Sequence, residues 1–246
     1  MTSSSRERVA SLLLASFLAA ALLGGTPTTP ATAGGAATCE GEPATITGTD
    51  GDDLLVGTPG RDVVAGLAGD DTIRGRGGDD LLCGGDGADV LRGGAGRDSL
   101  HDVVVNSGAQ RLDGGRGRDG VTFGWDVRDG EGEVLRVVVL VDLAAGRAVL
   151  GDTGTTFPFR SFREVTALVS PGRWRFVGTA APEVVRTDRF MSVDARTRGG
   201  RDTVHGSWHD DRIRGGRGVD TAYPSRGRDV CLGVERGRLA DCENLG

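Results

Sequence analysis

GTDGDDLLV GTPGRDVVA GLAGDDTIR GRGGDDLLC GGDGADVLR GGAGRDSLH runs without a gap from Gly48 to His101 and divides into six units of nine residues. Each unit has Gly at positions one and four, Asp at six, and Leu, Val or Ile at eight. A fixed short period marks a solenoid, in which a unit buries its apolar face only against its neighbours. The first six residues suit a tight turn, because glycine reaches backbone angles that other residues avoid. The last three, such as Leu54-Leu55-Val56, suit a short strand. Side chains alternate along a strand, so the eighth residue points inward and its neighbours outward. The expected inward set is Leu55, Val64, Ile73, Leu82, Leu91 and Leu100. The fold class is all-β: a parallel β-roll, or β-solenoid, with two units to a coil.

The register extends both ways. Asp102-Val103-Val104 insert three residues; VNSGAQRLD (105–113) then keeps the Gly and Leu but puts Gln110 at the acid position. GGRGRDGVT (114–122) restores the pattern with Asp119. Upstream, CEGEPATIT from Cys39 keeps only Ile46 in frame and suits a cap. A second block, TRGGRDTVH GSWHDDRIR GGRGVDTAY PSRGRDVCL, spans Thr197 to Leu232, and a weaker unit, GTAAPEVVR, places Glu183 at the acid position.

Stacked coils bring like turns together at about the 4.8 Å strand spacing, so sixth-position carboxylates should form columns. Unpaired, they repel. A hard cation relieves that repulsion, and Ca²⁺ suits carboxylates mixed with turn carbonyls, whereas Mg²⁺ demands stricter geometry. Zinc would want Cys or His at these positions. The units resemble the RTX, or haemolysin-type, calcium-binding repeat, G-G-x-G-x-D-x-U-x. The resemblance implies a parallel β-roll in which turn Asp residues and loop carbonyls of units two apart hold several Ca²⁺ ions. The implied ligands are Asp53, Asp62, Asp71, Asp80, Asp89, Asp98 and Asp119, with Asp202, Asp211, Asp220 and Asp229 in the second block. Fifth-position Asp52, Asp70 and Asp79 are expected to be outer charge.

Arginine is the departure from that pattern. It fills the fifth position at Arg61, Arg97, Arg118, Arg201 and Arg228 and crowds the second block. Residues 39–101 carry 13 acids and 5 Arg, net −8; residues 197–246 carry 8 acids and 9 Arg, net +1. Guanidinium groups could pair with turn carboxylates in place of metal, so a metal-independent scaffold with Arg–Asp ladders is the alternative.

The remaining features set the organisation. Arg6 and Arg8, the apolar stretch Val9–Leu23 and Ala31-Thr32-Ala33 together read as a secretory signal peptide. The expected organisation is a leader over 1–33, a cap over 34–47, a calcium-binding block over 48–122, a degenerate β segment over 123–177, a second repeat block over 178–232 and a C-terminal cap over 233–246. Without Arg6, Glu7 and Arg8 the net charge is −7, all the basic residues being Arg; such a chain is expected to bind calcium and no nucleic acid. No other stretch is apolar enough to span a bilayer after cleavage, and the localisation expected is extracellular. Four cysteines in an exported chain suggest disulfides and allow three pairings. Proximity favours Cys231–Cys242, which leaves Cys39 for Cys83, although Cys39 need not lie near Cys83 in the roll.

In the middle segment, Val134–Leu143 reads as strand and VDLAAGRAVL as strand–turn–strand. The segment is expected to continue the roll with longer coils and no metal, and Phe157, Phe159, Phe162, Trp174 and Phe176 to pack locally. His101 is expected to be solvated; His205 and His209 flank Trp208 without forming a metal site. Neither H-E-x-x-H nor G-x-S-x-G occurs, so no enzyme is expected; a secreted hydrolase or epimerase-like enzyme is the lesser alternative.

Overall fold

The computed structural model describes residues 37–103, 110–125, 137–150, 155–169, 172–238 and 242–243. The expected leader lies outside the described residues. Two long sheets face each other across one apolar core, one of eleven strands and one of ten. Successive strands of a sheet pair in parallel, 18 residues apart: Leu55 with Ile73 and Ile73 with Leu91, and opposite them Val64 with Leu82 and Leu82 with Leu100. Two nonapeptides therefore make one coil. Beyond it the spacing becomes 21, Leu91 pairing with Leu112 and Leu100 with Val121, because the three-residue insertion is absorbed within a coil.

Five of the six expected inward side chains are fully buried. Leu55 is half-buried because it sits in the first strand of its sheet, with no coil beyond it. The core continues through Leu112, Val121, Val185, Val204, Ile213, Ala222 and Cys231. Burying each large aliphatic contributes roughly 1.5–3 kcal/mol, and no short strand holds its shape without the coils on either side.

The middle segment stays in the same sheets by a different route. Val137–Asp142 pairs antiparallel with Arg147–Leu150, which pairs antiparallel with Thr155–Arg160. The outer strands of this meander join parallel neighbours at Arg111–Gly117 and Gly172–Val177. Asp142 Oδ1 accepts the Ala145 N–H at 2.9 Å and Gly146 takes a φ of 65°, closing the strand–turn–strand. The degenerate middle is thus a sheet insertion as well as a run of longer coils. Phe123, Phe162, Trp174 and Phe176 fill the core there; Trp174 and Phe176 meet edge to face at 6.0 Å. The side chains of Phe157 and Phe159 lie outside those described.

Both disulfides form, Cys39–Cys83 and Cys231–Cys242. Strand Thr38–Cys39 folds back on Glu42–Pro43, and Cys39 packs on the outer side of the ten-stranded sheet against Val63, Leu81 and Cys83. Cys231 takes an inward eighth position and ties Cys242 to the last coil. The cap also corrects the expectation for His101, which is half-buried with Nδ1 3.1 Å from Glu40.

Candidate metal centre in the turn columns

Sixth-position acids occupy the turns between the two sheets, and those of alternate units stack. Asp62, Asp71, Asp80, Asp89, Asp98, Asp119, Asp202, Asp211, Asp220 and Asp229 are all buried; Asp53, in the first coil, is half-buried. Most of the buried carboxylates are held the same way. Asp71 Oδ1 accepts the Asp53 N–H at 2.9 Å, Asp80 Oδ1 that of Asp62 at 2.9 Å, Asp89 Oδ1 that of Asp71 at 2.8 Å, and Asp98 Oδ1 that of Asp80 at 3.1 Å. Asp119 receives Asp98, Asp220 receives Asp202, and Asp229 receives Asp211. In these acids one oxygen thus joins the turn to the turn of the preceding coil, while Asp211 receives the Val193 N–H from a strand instead.

The second oxygen divides the turns into two kinds. In Asp71, Asp80, Asp89, Asp98, Asp119, Asp202 and Asp220, Oδ2 is buried and has no hydrogen-bond donor. Except at Asp202, it faces the α-carbon of the first-position glycine: a Cβ on Gly66 would meet both Asp71 Oδ2 and the Gly84 carbonyl, and one on Gly75 both Asp80 Oδ2 and the Gly93 carbonyl. A carboxylate oxygen and a carbonyl oxygen thus share a small space that only glycine leaves open. Positions two and four of these turns have positive φ, as at Leu67 (86°) and Gly69 (103°) or Arg76 (79°) and Gly78 (107°).

Turns of the second kind supply their own donors. Thr58 donates both N–H and Oγ1–H to Asp62 Oδ2, at 2.6 and 3.0 Å. Thr49 does the same for Asp53, and Ser207 for Asp211. Thr179 serves Glu183 through N–H and Oγ1, whose second oxygen remains without a donor. Gln110 accepts the Asp89 N–H with Oε1 and donates Nε2 to the Gly87 carbonyl at 2.6 Å, so an amide proton fills the place of an unmatched oxygen. At Asp202, Thr197 replaces the first glycine and donates Oγ1 to the Gly215 carbonyl at 2.8 Å.

Electrostatics follow the burial. Desolvation pushes the carboxyls of Asp80, Asp89 and Asp98 up to about 6, against the lowering effect of their backbone hydrogen bonds. It raises Asp202 and Asp211 to about 7 and lifts Asp71, Asp119 and Glu183 in the same direction. Arginine mostly points elsewhere. Arg163 approaches Glu183 at 3.9 Å, but Arg61, Arg97 and Arg228 pair with Glu42, Glu164 and Asp210 at the surface.

Two contributions escaped the sequence reading. The second-position Thr and Ser look like unconstrained residues of the motif until their hydroxyls are seen on the acid four residues on. Fifth-position Asp52, Asp70 and Asp79 are more than outer charge: their Oδ1 atoms accept the N–H groups of Asp70, Ala88 and Arg97, one coil on, each at 2.8 Å. His205 stacks on Tyr223 at 4.8 Å and His209 donates its N–H to Ser207.

Among the described residues no three His, Cys, Asp or Glu side chains converge, so a cation here would take backbone carbonyls along with carboxylates. The donor set fits that demand: buried oxygens without donors beside glycine-walled space, and neither nitrogen nor sulfur, which suits Ca²⁺. Residues 47–82, 84–101 and 195–222 match the model of the RTX calcium-binding nonapeptide repeat, in four copies. The chain matches none of the curated proteins.

Proposed function

For an RTX-type repeat chain folded as a parallel β-solenoid, we propose that it is a secreted, non-catalytic calcium-binding module in which ion binding drives folding. The observation that carries this reading is the run of buried carboxylate oxygens without donors at Asp71, Asp80, Asp89, Asp98 and Asp119. A buried unmatched anion is costly. Bound Ca²⁺ supplies the positive charge that these oxygens lack. The carboxylates and the facing glycine carbonyls hold it, and the Oδ1 bonds to the preceding turn fix each carboxylate's orientation. The unfolded chain has no such site, so binding free energy becomes folding free energy.

The eleven acids first considered then separate. Asp71, Asp80, Asp89, Asp98, Asp119 and Asp220 bind calcium, Asp220 beside Gly215, Gly216 and Gly218. Asp53, Asp62 and Asp211 are held by Thr or Ser without an ion of their own, and at Asp202 the Thr197 side chain takes the place of the first glycine, with its hydroxyl on the Gly215 carbonyl that an ion would use. Asp229 follows Pro224 and Ser225 in place of the two glycines and is the weakest candidate. The turns with hydroxyl donors need no ion, but their donors are Thr and Ser and not the arginines of an Arg–Asp ladder. Secretion rests on the N-terminal leader pattern, and two disulfides suit an oxidising compartment. Extracellular calcium modules bind at about 10⁻⁴–10⁻³ M, a range that leaves the chain loose before export.

The test is far-UV circular dichroism of the protein in EDTA, followed by titration with Ca²⁺ and, separately, Mg²⁺. A gain of β signal at sub- to low-millimolar Ca²⁺, absent with Mg²⁺, is expected. An unchanged β spectrum with no heat of Ca²⁺ binding would leave the metal-independent scaffold standing instead.

A further inference from the structure

The outer face of the eleven-stranded sheet carries a charge pattern that folding does not explain. Arg74 and Arg92 are direct partners in adjacent parallel strands, and so are Arg196 and Arg214. Like charges directly opposite one another on a sheet destabilise it. Along the same face Arg92 leads to Asp113 and Arg160, and Arg175 to Asp194 and Arg212. Among the described side chains the outward acids are Asp113, Asp142 and Asp194, fewer than the outward arginines. Asp194 is shared by Arg175 and Arg196, both at 3.8 Å. The opposite sheet differs: its outward side chains include Thr122, Thr166, Thr203 and Thr221, and its Arg186 pairs with Glu164.

We propose that this arginine-lined face binds a linear acidic polysaccharide, a polymer of uronate sugars laid along the solenoid axis. Three features select that class. Arginines lie on neighbouring strands along one face of a single sheet, about 4.8 Å apart, which suits an extended repeating polymer better than a folded protein. All are guanidinium groups, whose planar fork matches a carboxylate bidentately and is more weakly hydrated than an ammonium. No outward aromatic ring occurs on this face among the described side chains, whereas single-stranded nucleic acids are held by base stacking. Shallow depressions lie between the arginine rows, one lined by Arg92, Arg111 and Arg160 with Asp113, and another by Arg173 and Arg212 with Asp194 and Asp210; in the first, where arginines outnumber the acid, a sugar ring can settle between the charges that hold its carboxylates. The face is separate from the turn columns, and its occupancy does not depend on which acids take calcium.

The experiment is calorimetry with the disulfide-bonded protein in millimolar CaCl₂ against an oligogalacturonate too short to gel with calcium. Neutral dextran and a duplex DNA of similar charge serve as comparators. Saturable oligogalacturonate binding that weakens as salt rises is expected, with none to dextran and weaker binding to DNA. The triple variant R92Q/R212Q/R214Q should weaken it about tenfold, from three exposed ion pairs lost, while R236Q on the other sheet leaves it unchanged. Circular dichroism of each variant should match the parent, since all these side chains are exposed or half-exposed. No binding at low salt, equal binding by the triple variant, or tighter binding of DNA would each overturn the proposal.

Discussion

Asp98 holds two roles in one carboxylate: Oδ1 receives the Asp80 N–H, and buried Oδ2 receives nothing. Asp98→Asn keeps the shape and removes the charge. In EDTA the variant should melt higher than the parent, because an unmatched buried anion is gone. In calcium it should bind at least about tenfold more weakly, the loss typical even for groups that only support a metal ligand. Asp62→Asn should barely alter calcium affinity, since Thr58 already serves Asp62. Calorimetry and thermal melts in both buffers separate the two residues. The raised carboxyls carry a sign of their own. Asp80, Asp89 and Asp98 titrate near 6 in the calcium-free fold and Asp202 and Asp211 near 7, against about 3.9 for an unfolded Asp. The folded chain therefore holds protons that the unfolded chain releases. That stability is complete below about pH 4 and is lost as the pH climbs through 6 to 7. Melting in EDTA should occur roughly 5 °C or more higher at pH 5 than at pH 8, and saturating calcium should flatten the difference.

At the scale of the turn and strand, position four of the repeat tests whether the two turn types are physically distinct. Gly78 has a φ of 107°, and a Cβ there would lie 2.6 Å from the Arg61 nitrogen. Gly60 occupies the same position of a threonine-type turn, where the nearest atom to a Cβ is 3.8 Å away. Gly78→Ala should cost about 2 kcal/mol or more, and Gly60→Ala close to nothing, read by chemical melts in calcium. This contrast also marks how far the sequence could be read. The inward residues and the acid columns were legible because both repeat at a fixed period and burial enforces that period. The Thr and Ser donors were not, because the motif leaves position two open and the difference lies in backbone angles. The meander at Val137–Arg160 was only half legible: a β-branched run announces a strand, but nothing in it says whether the next strand lies parallel or antiparallel. Docking of the cap on His101 and Cys83 depends on contacts far apart in sequence, which no local pattern records.

Across the whole molecule, the coils differ in what stabilises them. The coils from Gly66 to Asp119 hold five of the seven donor-free acids named above, while the stretch from Phe162 to Val193 has a larger apolar core, with Trp174, Phe176 and Met191 fully buried. A solenoid is nearly one-dimensional, so its regions can open separately. Chelation should therefore loosen the first block before the aromatic centre. Hydrogen exchange in EDTA should show early exchange of the amides of Asp71, Asp80 and Asp89, with Val165, Phe176 and Val193 retained longer. Uniform exchange along the chain would show instead that the coils open together.

The bond from Cys231 to Cys242 sits on the last strand of the eleven-stranded sheet. A stack of parallel strands has two growing ends, and an open end is a template for further addition. By pinning the tail beside Asp229 and Cys231, the crosslink works as a chain terminator. Reduction of the bond is expected to free the tail from that edge and to favour end-to-end association, which light scattering of the reduced and oxidised protein would read.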